Sequence, residues 1–464
     1  MSKAMEFERN YDWMGSVESY RAALGMVPGQ DVLKAAEIHE RIGYCWFRAA
    51  MQAGSVEEFK KRMRMSVEAY EKAAELFEKV EPVRGLYCRG AASYSNSWIV
   101  EDSLRKKELF DDCWRLMKEA LEGFDASGDY SGLEKVFRTS ELCIFDMTLF
   151  LDDWRERERI CEEIMRYGQR FVAKFSQTAN VDLLVWAYTM ASFFILVGTD
   201  LFEERRKEVV SKASDYLKKA LELQEKIEDD YLHFFLNSEL AYANLGLWVN
   251  LRAASEYTEK IMRRGERSND HFLLGQAYLT LGNVAYWETL AEEDPDKSKE
   301  KCRIAIRFNE ESARHHLLVC RYDYASQSLG LSEECYFILA NAETNIEGKR
   351  GLLNQAVEVG RKGAEYAQLS GSSFTMAVLL HSFSKAFYFL SETETNIGEK
   401  KKLLKEALEL REKHISLCNR LNPPHTWLRG IAQNYLALIK ADLAKTEEDE
   451  AEKRNLLEEA VRGM

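Results

Sequence analysis

The sequence predicts an all-α protein made of repeated helix pairs, and three observations carry that prediction. The phrase ETNIEGKRGLL at 343–353 returns as ETNIGEKKKLL at 394–404, a period of 51 residues. Only 5 of the 464 residues are proline and 25 are glycine, which favours long helices over a fold with many turns. Segments in which β-branched residues alternate with polar ones are almost absent, so we predict no strand.

Each copy of the repeated phrase marks the boundary between two helices. Its residues have the spacing of an N-terminal capping box, in which a side chain at the start of a helix binds a backbone N–H three residues later. This spacing occurs at Thr344/Glu347, at Asn396/Glu399 and, more loosely, at Thr446/Asp449. The motif LLxxA follows in all three copies, so we interpret the period as the length of one helix pair.

A ladder of small residues predicts where the second helix of each pair lies. A large apolar residue followed three positions later by a small one recurs at intervals of 40 to 53 residues. The small residues, here called the repeat anchors, are Ala23, Ala73, Ala120, Gly168, Ala220, Gly265, Ala305, Ala356, Ala407 and Ala460. Small side chains on one helix face let a neighbouring helix approach closely. We therefore predict one continuous array over 1–464, with about ten helix pairs and a period near 50 residues.

The first helix of each pair lies between two anchors and carries a glycine after an apolar residue. Examples are Ile42-Gly43, Leu245-Gly246 and Leu281-Gly282. Glycine inside a helix costs about 1 kcal/mol relative to alanine, so its repeated use at one place indicates close helix contact.

These features resemble the tetratricopeptide repeat. The segment YDWMGSVESYRAAL at 11–24 places Trp13, Ser16, Tyr20 and Ala23 at the aromatic, small, aromatic and small positions of that family's second helix. The apolar-glycine pairs look like the Leu-Gly signature of its first helix. The period exceeds the family's unit of about 34 residues, so the array resembles the long-period repeat arms of prokaryotic signalling ATPases. The resemblance implies a right-handed α-α superhelix, a solenoid of the tetratricopeptide type.

Composition limits the compartment and the partners that we expect. The formal net charge is −13, and an acidic surface repels phosphate backbones, so we predict no nucleic-acid partner. Nine cysteines are scattered without a CxxC pair, which fits free, buried thiols in a reducing cytoplasm. The first ten residues contain no apolar stretch and predict no signal peptide. The segment 183–198 is uncharged but shorter than the roughly 20 residues of a spanning helix, so we interpret it as a buried core helix and predict no membrane association.

The motifs of common enzymes and metal sites are absent from the sequence. No GxxxxGK[ST], GxGxxG, HExxH, EF-hand or GxSxG motif occurs. The adjacent pair His315-His316 would point about 100° apart on a helix, which serves one metal ion poorly. The many carboxylates lie in helical charge runs. We therefore predict no enzymatic activity, no cofactor and no metal site.

A solenoid of this kind forms a curved ribbon whose concave groove can bind an extended peptide or a helix. The resemblance implies that Glu40, Tyr44 and Arg48 face the groove in the first complete repeat, and that Asn283 and Tyr286 face it in a later one. We therefore predict a protein-interaction scaffold or adaptor, with an elongated body and an open groove. The accompanying lysines of a carboxylate clamp are not matched, so we do not predict capture of a C-terminal carboxylate.

Other interpretations stay open. The array could be a detached sensor or regulatory arm of a signal-transduction ATPase system, and it could associate with itself through its terminal repeats. An RNA-binding helical repeat would need a basic groove, which the net charge of −13 disfavours. A helical-toroid enzyme would need a cluster of acids, bases or metal ligands that the sequence does not single out.

Overall fold

The chain is all-α throughout the part that the computed structural model describes, residues 2–177, 180–193, 206–227, 230–246, 250–421 and 427–463. These ranges form twenty α-helices, one short 3₁₀ turn at Gln224–Lys226 and no strand. In chain order the helices are α1 (Ser2–Arg9), α2 (Trp13–Leu24), α3 (Val32–Ala50), α4 (Val56–Phe77), α5 (Pro82–Ser97), α6 (Ser103–Ser127), α7 (Tyr130–Phe150), α8 (Trp154–Phe175), α9 (Val181–Ser192), α10 (Arg206–Leu223), α11 (Asp230–Gly246), α12 (Leu251–Ser268), α13 (His271–Ala291), α14 (Pro295–Leu318), α15 (Tyr322–Asn341), α16 (Ile346–Ser370), α17 (Ser373–Glu392), α18 (Ile397–Leu421), α19 (Trp427–Lys445) and α20 (Glu450–Gly463).

The helices form two layers. Odd-numbered helices pack side by side, as α5 does with α7, α13 with α15, and α15 with α17. Even-numbered helices lie between successive odd ones, as α4 does between α3 and α5. Such an alternation of an inner and an outer helix is that of an α-solenoid, so the predicted all-α solenoid is confirmed.

The repeat anchors lie one to a helix on the ten even-numbered helices, from Ala23 on α2 to Ala460 on α20. All of them are buried except Ala23, which is half-buried. The contact between α3 and α4 shows why small residues recur there. The hydroxyl of Ser66 on α4 donates to the backbone carbonyl of Gly43 on α3 at 2.8 Å. The small residues therefore mark the places where an outer helix approaches an inner one most closely.

The repeated phrase does cap helices, with one correction of a residue. The N-cap of α16 is Asn345, whose Oδ1 accepts from the backbone N–H of Glu347 at 2.9 Å, and not Thr344. An asparagine is at least as good a cap as a threonine, so the helix starts one residue later than predicted. Asn396 caps α18 as predicted, accepting from the backbone N–H of Glu399 at 3.1 Å. In the third copy Asp449 is itself the cap of α20.

The ribbon is wound so tightly that one turn of the superhelix touches the next. The backbone N–H of His271, at the start of α13, donates to the carbonyl of Met51, at the end of α3, at 2.9 Å. Arg321 precedes α15 and stacks on Trp98 at the end of α5, 4.9 Å from the ring centroid. Ser372 precedes α17 and donates its hydroxyl to the carbonyl of Leu149 near the end of α7.

These three contacts have the same register, because each joins helices that are ten apart in the order of the described helices. One turn therefore holds five pairs of described helices: the first turn runs from α3 to α12, and the second begins with α13. The expectation of an elongated body is wrong for this reason. The helix ends of one turn make polar contacts with the helix ends of the next.

None of the described helices is long and apolar enough to cross a membrane. In the apolar segment 183–198, residues 183–193 are described and nearly all of them are buried, in agreement with the predicted core helix. The rest of that segment lies outside the described residues. All nine cysteines are buried and none forms a disulfide.

Candidate functional site

The concave face of the second turn contains a cavity of about 600 Å³. Its walls come from the inner helices α11, α13, α15 and α17 and from the C-terminal half of the outer helix α18. Ligand sites in proteins usually measure roughly 300 to 1,000 Å³. Two other cavities, both with Tyr44 and Tyr231 in their walls, measure only about 70 and 30 Å³. The second turn therefore has the concave cavity that is large enough for a ligand.

Two of the five predicted groove residues line this cavity. Asn283 and Tyr286 lie one turn apart on α13 and both face it. Gly282 lets α13 approach the outer layer, because a side chain at this position would meet the amide of Asn309 on α14. The amide nitrogen of Asn283 donates to the carbonyl of Leu279 at 2.9 Å, which leaves its oxygen as an acceptor.

Glu40 lies in the first turn and is held by two cations. Its Oε2 is 2.9 Å from Nη2 of Arg84 and its Oε1 is 2.5 Å from Nζ of Lys135. Burial raises the pKa of this carboxyl, but the charges of Lys135 and Arg84 outweigh burial and hold the pKa below its usual value. Glu40 is 3% exposed, so the structure gives it a role within the fold.

Arg48 and Tyr44 also belong to the first turn, whose concave face is filled by side chains that meet across it. The guanidinium of Arg48 lies 4.2 Å from the ring centroid of Tyr231 on α11, and Arg138 lies 5.6 Å from the rings of both Tyr44 and Tyr231. Arg48 is also paired with Asp270. The structure thus separates the five predicted residues into two groups, and their roles in binding stay predictions.

A polar strip crosses the floor of the 600 Å³ cavity. Nζ of Lys385 on α17 lies 2.7 and 2.8 Å from the two carboxylate oxygens of Glu334 on α15. Gln327 lies two helical turns before Glu334, and its Nε2 has no hydrogen-bond partner within the described residues. A buried N–H without a partner loses free energy that a bound acceptor would restore. Gln327 is therefore a donor in this cavity that is available to a ligand.

Apolar side chains supply the remaining walls. Phe374, Val378 and Leu331 line the cavity, and Val378 is 41% exposed although it is a large apolar residue on an inner helix. An apolar surface that stays open to solvent in the concave face is typical of a binding site.

One end of the cavity holds a cluster that the sequence did not single out. His381 on α17 and His414 and Cys418 on α18 line the cavity, and Arg411 lies behind them. Nε2 of His414 is 3.0 Å from Sγ of Cys418, and Nδ1 of His414 is 3.1 Å from Nη1 of Arg411. Burial lowers the pKa of His414 to about 3, with the charge of Arg411 acting in the same direction.

Burial also lowers the pKa of His381 to about 3, with further lowering by the charges of Lys385 and Arg411. Both imidazoles are therefore neutral at physiological pH. The one signal of this cluster in the sequence is the spacing of four residues between His414 and Cys418, which places them on one helix face. No group of three potential ligands in the described part of the chain is arranged to hold a metal ion.

Comparison with protein-family models finds no match, and comparison with curated proteins finds none either. Among solved structures the chain is similar to a circular tandem repeat protein with a novel repeat topology, with 14% identity, a TM-score of 0.25, and coverage of 92% of this chain and 96% of that one. It is also similar to a signal transduction ATPase with numerous domains that carries a tetratricopeptide repeat sensor, from Pyrococcus horikoshii, with 14% identity, a TM-score of 0.30, and coverage of 97% and 72%. The assignment of the fold rests on the helices themselves.

Proposed function

We propose that this protein is a non-enzymatic interaction scaffold of the cytoplasm that binds a short segment of a partner protein in the concave cavity of its second turn. The observation that carries the proposal is the cavity itself. It measures about 600 Å³, lies on the inner helices, and combines an apolar wall with unused hydrogen-bonding groups.

The lining indicates what kind of segment fits. Gln327 offers an N–H donor and Asn283 offers an amide oxygen, which are the groups that recognise the C=O and N–H of a peptide backbone. The apolar wall around Val378 suits one or two large apolar side chains. Glu334 and Lys385 neutralise each other, so the cavity favours neither an acidic nor a basic side chain. The partner segment is therefore short, largely uncharged, and anchored by an apolar side chain.

A protein segment suits this protein better than a nucleic acid does. The net charge is −13, and the charged pair that faces the cavity is neutral overall, so no basic surface is available there for phosphates. The free, buried cysteines fit a reducing compartment, which supports a location in the cytoplasm.

The test is a selection of peptides from a display library on the native protein, followed by affinity measurements on two variants. Val378→Trp fills part of the cavity from a half-exposed position, whereas Leu369→Trp adds the same side chain at a 51% exposed position on α16 outside the cavity. We expect selected peptides to lose at least about tenfold in affinity, about 1.4 kcal/mol, with Val378→Trp and to bind Leu369→Trp normally. Peptides that bind all three proteins equally would overturn the proposal.

A further inference from the structure

We propose that Cys418 is a reactive thiol that opens into the concave cavity, activated by His414 and Arg411, and that it takes up small disulfides or other soft electrophiles that enter there. This inference goes beyond partner binding, because it needs only the cavity and the three side chains. It also sets Cys418 apart from the other eight cysteines of the chain.

The hydrogen bonds around His414 decide which nitrogen carries its proton. Arginine has donors only, so Nη1 of Arg411 donates to Nδ1 of His414 at 3.1 Å. The proton of the neutral imidazole is then on Nε2, and this N–H donates to Sγ of Cys418 at 3.0 Å. A hydrogen bond donated to sulfur stabilises the thiolate relative to the thiol, and the thiolate is the nucleophilic form.

The buried charge of Arg411 is the second observation that favours a thiolate at Cys418. Its side chain is fully buried, with 0% exposed, and it forms no ion pair with a carboxylate among the described residues; Glu334, the carboxylate whose charge acts on it, is already paired with Lys385. Its guanidinium contacts only neutral groups: the imidazoles of His381 and His414, the carbonyl of His381 and the ring of Tyr435. A buried charge without a counter-charge is strongly destabilising. A thiolate at Cys418, joined to Arg411 through the imidazole of His414, provides that counter-charge.

Access separates Cys418 from the other cysteines. Cys418 lines the cavity of about 600 Å³, whereas Cys320 lines a space of only about 20 Å³. Burial raises the pKa of Cys161 to about 12 and that of Cys320 to about 11, which keeps these thiols protonated and unreactive. A hydrogen bond with Cys335 lowers the pKa of Cys302, but Cys302 is 0% exposed and does not line the cavity. Among the described residues, the charged and titratable groups near Cys418, His414 and Arg411 include His381 and Lys385 on α17, Glu334 on α15 and Tyr435 on α19.

The chemical step is an exchange between a thiolate and a disulfide. The thiolate of Cys418 attacks one sulfur of a small disulfide, a new S–S bond forms at Sγ, and the old S–S bond breaks. The second half of the disulfide leaves as a thiolate and takes a proton from solvent. The step is stoichiometric and needs no other reactant.

The test is the rate of modification of each cysteine in the native protein. Limiting 4,4′-dithiodipyridine is added between pH 5 and pH 9, and the modified cysteines are identified by mass spectrometry of peptides. We expect Cys418 to react at least about tenfold faster than any other cysteine at pH 7, with a half-maximal rate well below the pH of about 8.5 that is typical of a free thiol. Equal rates for several cysteines, or an ordinary pH profile at Cys418, would overturn the proposal.

Four variants test the assigned roles. His414→Phe and Arg411→Met should each slow the modification of Cys418 about tenfold at pH 7 and shift its pH profile to higher pH. Each variant removes one of the two side chains that stabilise the thiolate. His271→Phe, which removes a partly buried histidine that does not line the cavity, should leave the rate unchanged. Val378→Trp should slow modification by narrowing the entrance, whether or not a peptide partner binds. If His414→Phe or Arg411→Met does not fold, the pH profile of Cys418 modification in the wild-type protein decides whether this thiol is activated.

Discussion

Arg48 on α3 forms a buried ion pair with Asp270, the residue before α13, although the two lie 222 residues apart in the chain. Nη2 of Arg48 is 3.1 Å from Oδ2 of Asp270, and the two side chains are 5% and 2% exposed. The other carboxylate oxygen of Asp270 caps α13 by accepting from the backbone N–H of Leu273 at 3.0 Å. Burial raises the pKa of Asp270 more than the charge of Arg48 lowers it. The pair thus joins the first turn of the superhelix to the start of the second.

Removing only the arginine of this ion pair should destabilise the protein strongly. Arg48→Met keeps the length of the side chain but leaves the carboxylate of Asp270 buried without its cation, so we expect the free energy of unfolding to fall by about 3 to 5 kcal/mol. Arg263→Met, at a 76% exposed position, should change it by less than about 0.5 kcal/mol. Urea unfolding followed by circular dichroism measures both values. Similar small losses for the two variants would show that the contact between turns contributes little.

Two buried carboxyls in the inner layer should make stability depend on pH. Glu141 on α7 accepts from Thr189 on α9 at 2.7 Å, and Glu239 on α11 accepts from Ser192 on α9 at 2.7 Å. Both are 0% exposed. Burial raises the pKa of Glu141 well above its usual value, and the nearby Glu239 raises it further. The folded protein therefore keeps protons that the unfolded chain releases above a pH of about 4.5.

It follows that the stability contributed by these carboxyls is complete below pH 4.5 and is lost as the pH rises towards the raised pKa. Glu141→Gln, which cannot ionise, should raise the free energy of unfolding by about 1 to 3 kcal/mol at pH 8 and by much less at pH 5. Glu71→Gln, at an exposed position on α4, should show no such difference. A constant effect of Glu141→Gln across this pH range would mean that Glu141 is ionised in the folded protein.

Two glycines of outer helices, one at a close helix contact and one in open space, should respond in opposite ways to substitution by alanine. A methyl group at Gly168 on α8 would lie 2.7 Å from the carbonyl carbon of Met190 on α9, so Gly168→Ala should cost about 1 to 3 kcal/mol. No atom lies within 4 Å of such a group at Gly351 on α16, so Gly351→Ala should stabilise by up to about 1 kcal/mol through helix propensity. Thermal unfolding of the two variants checks the sign of each effect. A neutral Gly168→Ala would show that α8 and α9 have room to separate.

The sequence predicted well what depends on residues close together in the chain. The spacing of anchors such as Ala73 and Ala356 follows from the contact of one outer helix with its neighbours, and this contact repeats in every pair. The position of Asn396 as a cap is equally local. These features are encoded within one period, so a comparison of the chain with itself reveals them.

The winding of the superhelix and the composition of the cavity could not be predicted in the same way. The contact of Arg48 with Asp270 spans more than four periods, and no pattern within one period specifies it. Arg48 lies on the inner helix α3, and the side chains that cover it come from α11 and from the start of α13. Likewise, Asn283 and Tyr286 line the cavity, whereas Gln327 and His381 reach it from two other helices that only the fold brings near.

The central claim, that a partner segment occupies the concave cavity of the second turn, is tested most directly by photo-crosslinking. A photoreactive amino acid replaces Val378 inside the cavity or Leu369 outside it, and each protein is irradiated with a peptide selected on the wild type. We predict a crosslink from position 378, mapped to the apolar anchor of the peptide, and none from position 369. Crosslinks from position 369 alone, or equally from both positions, would contradict the assignment of the binding site.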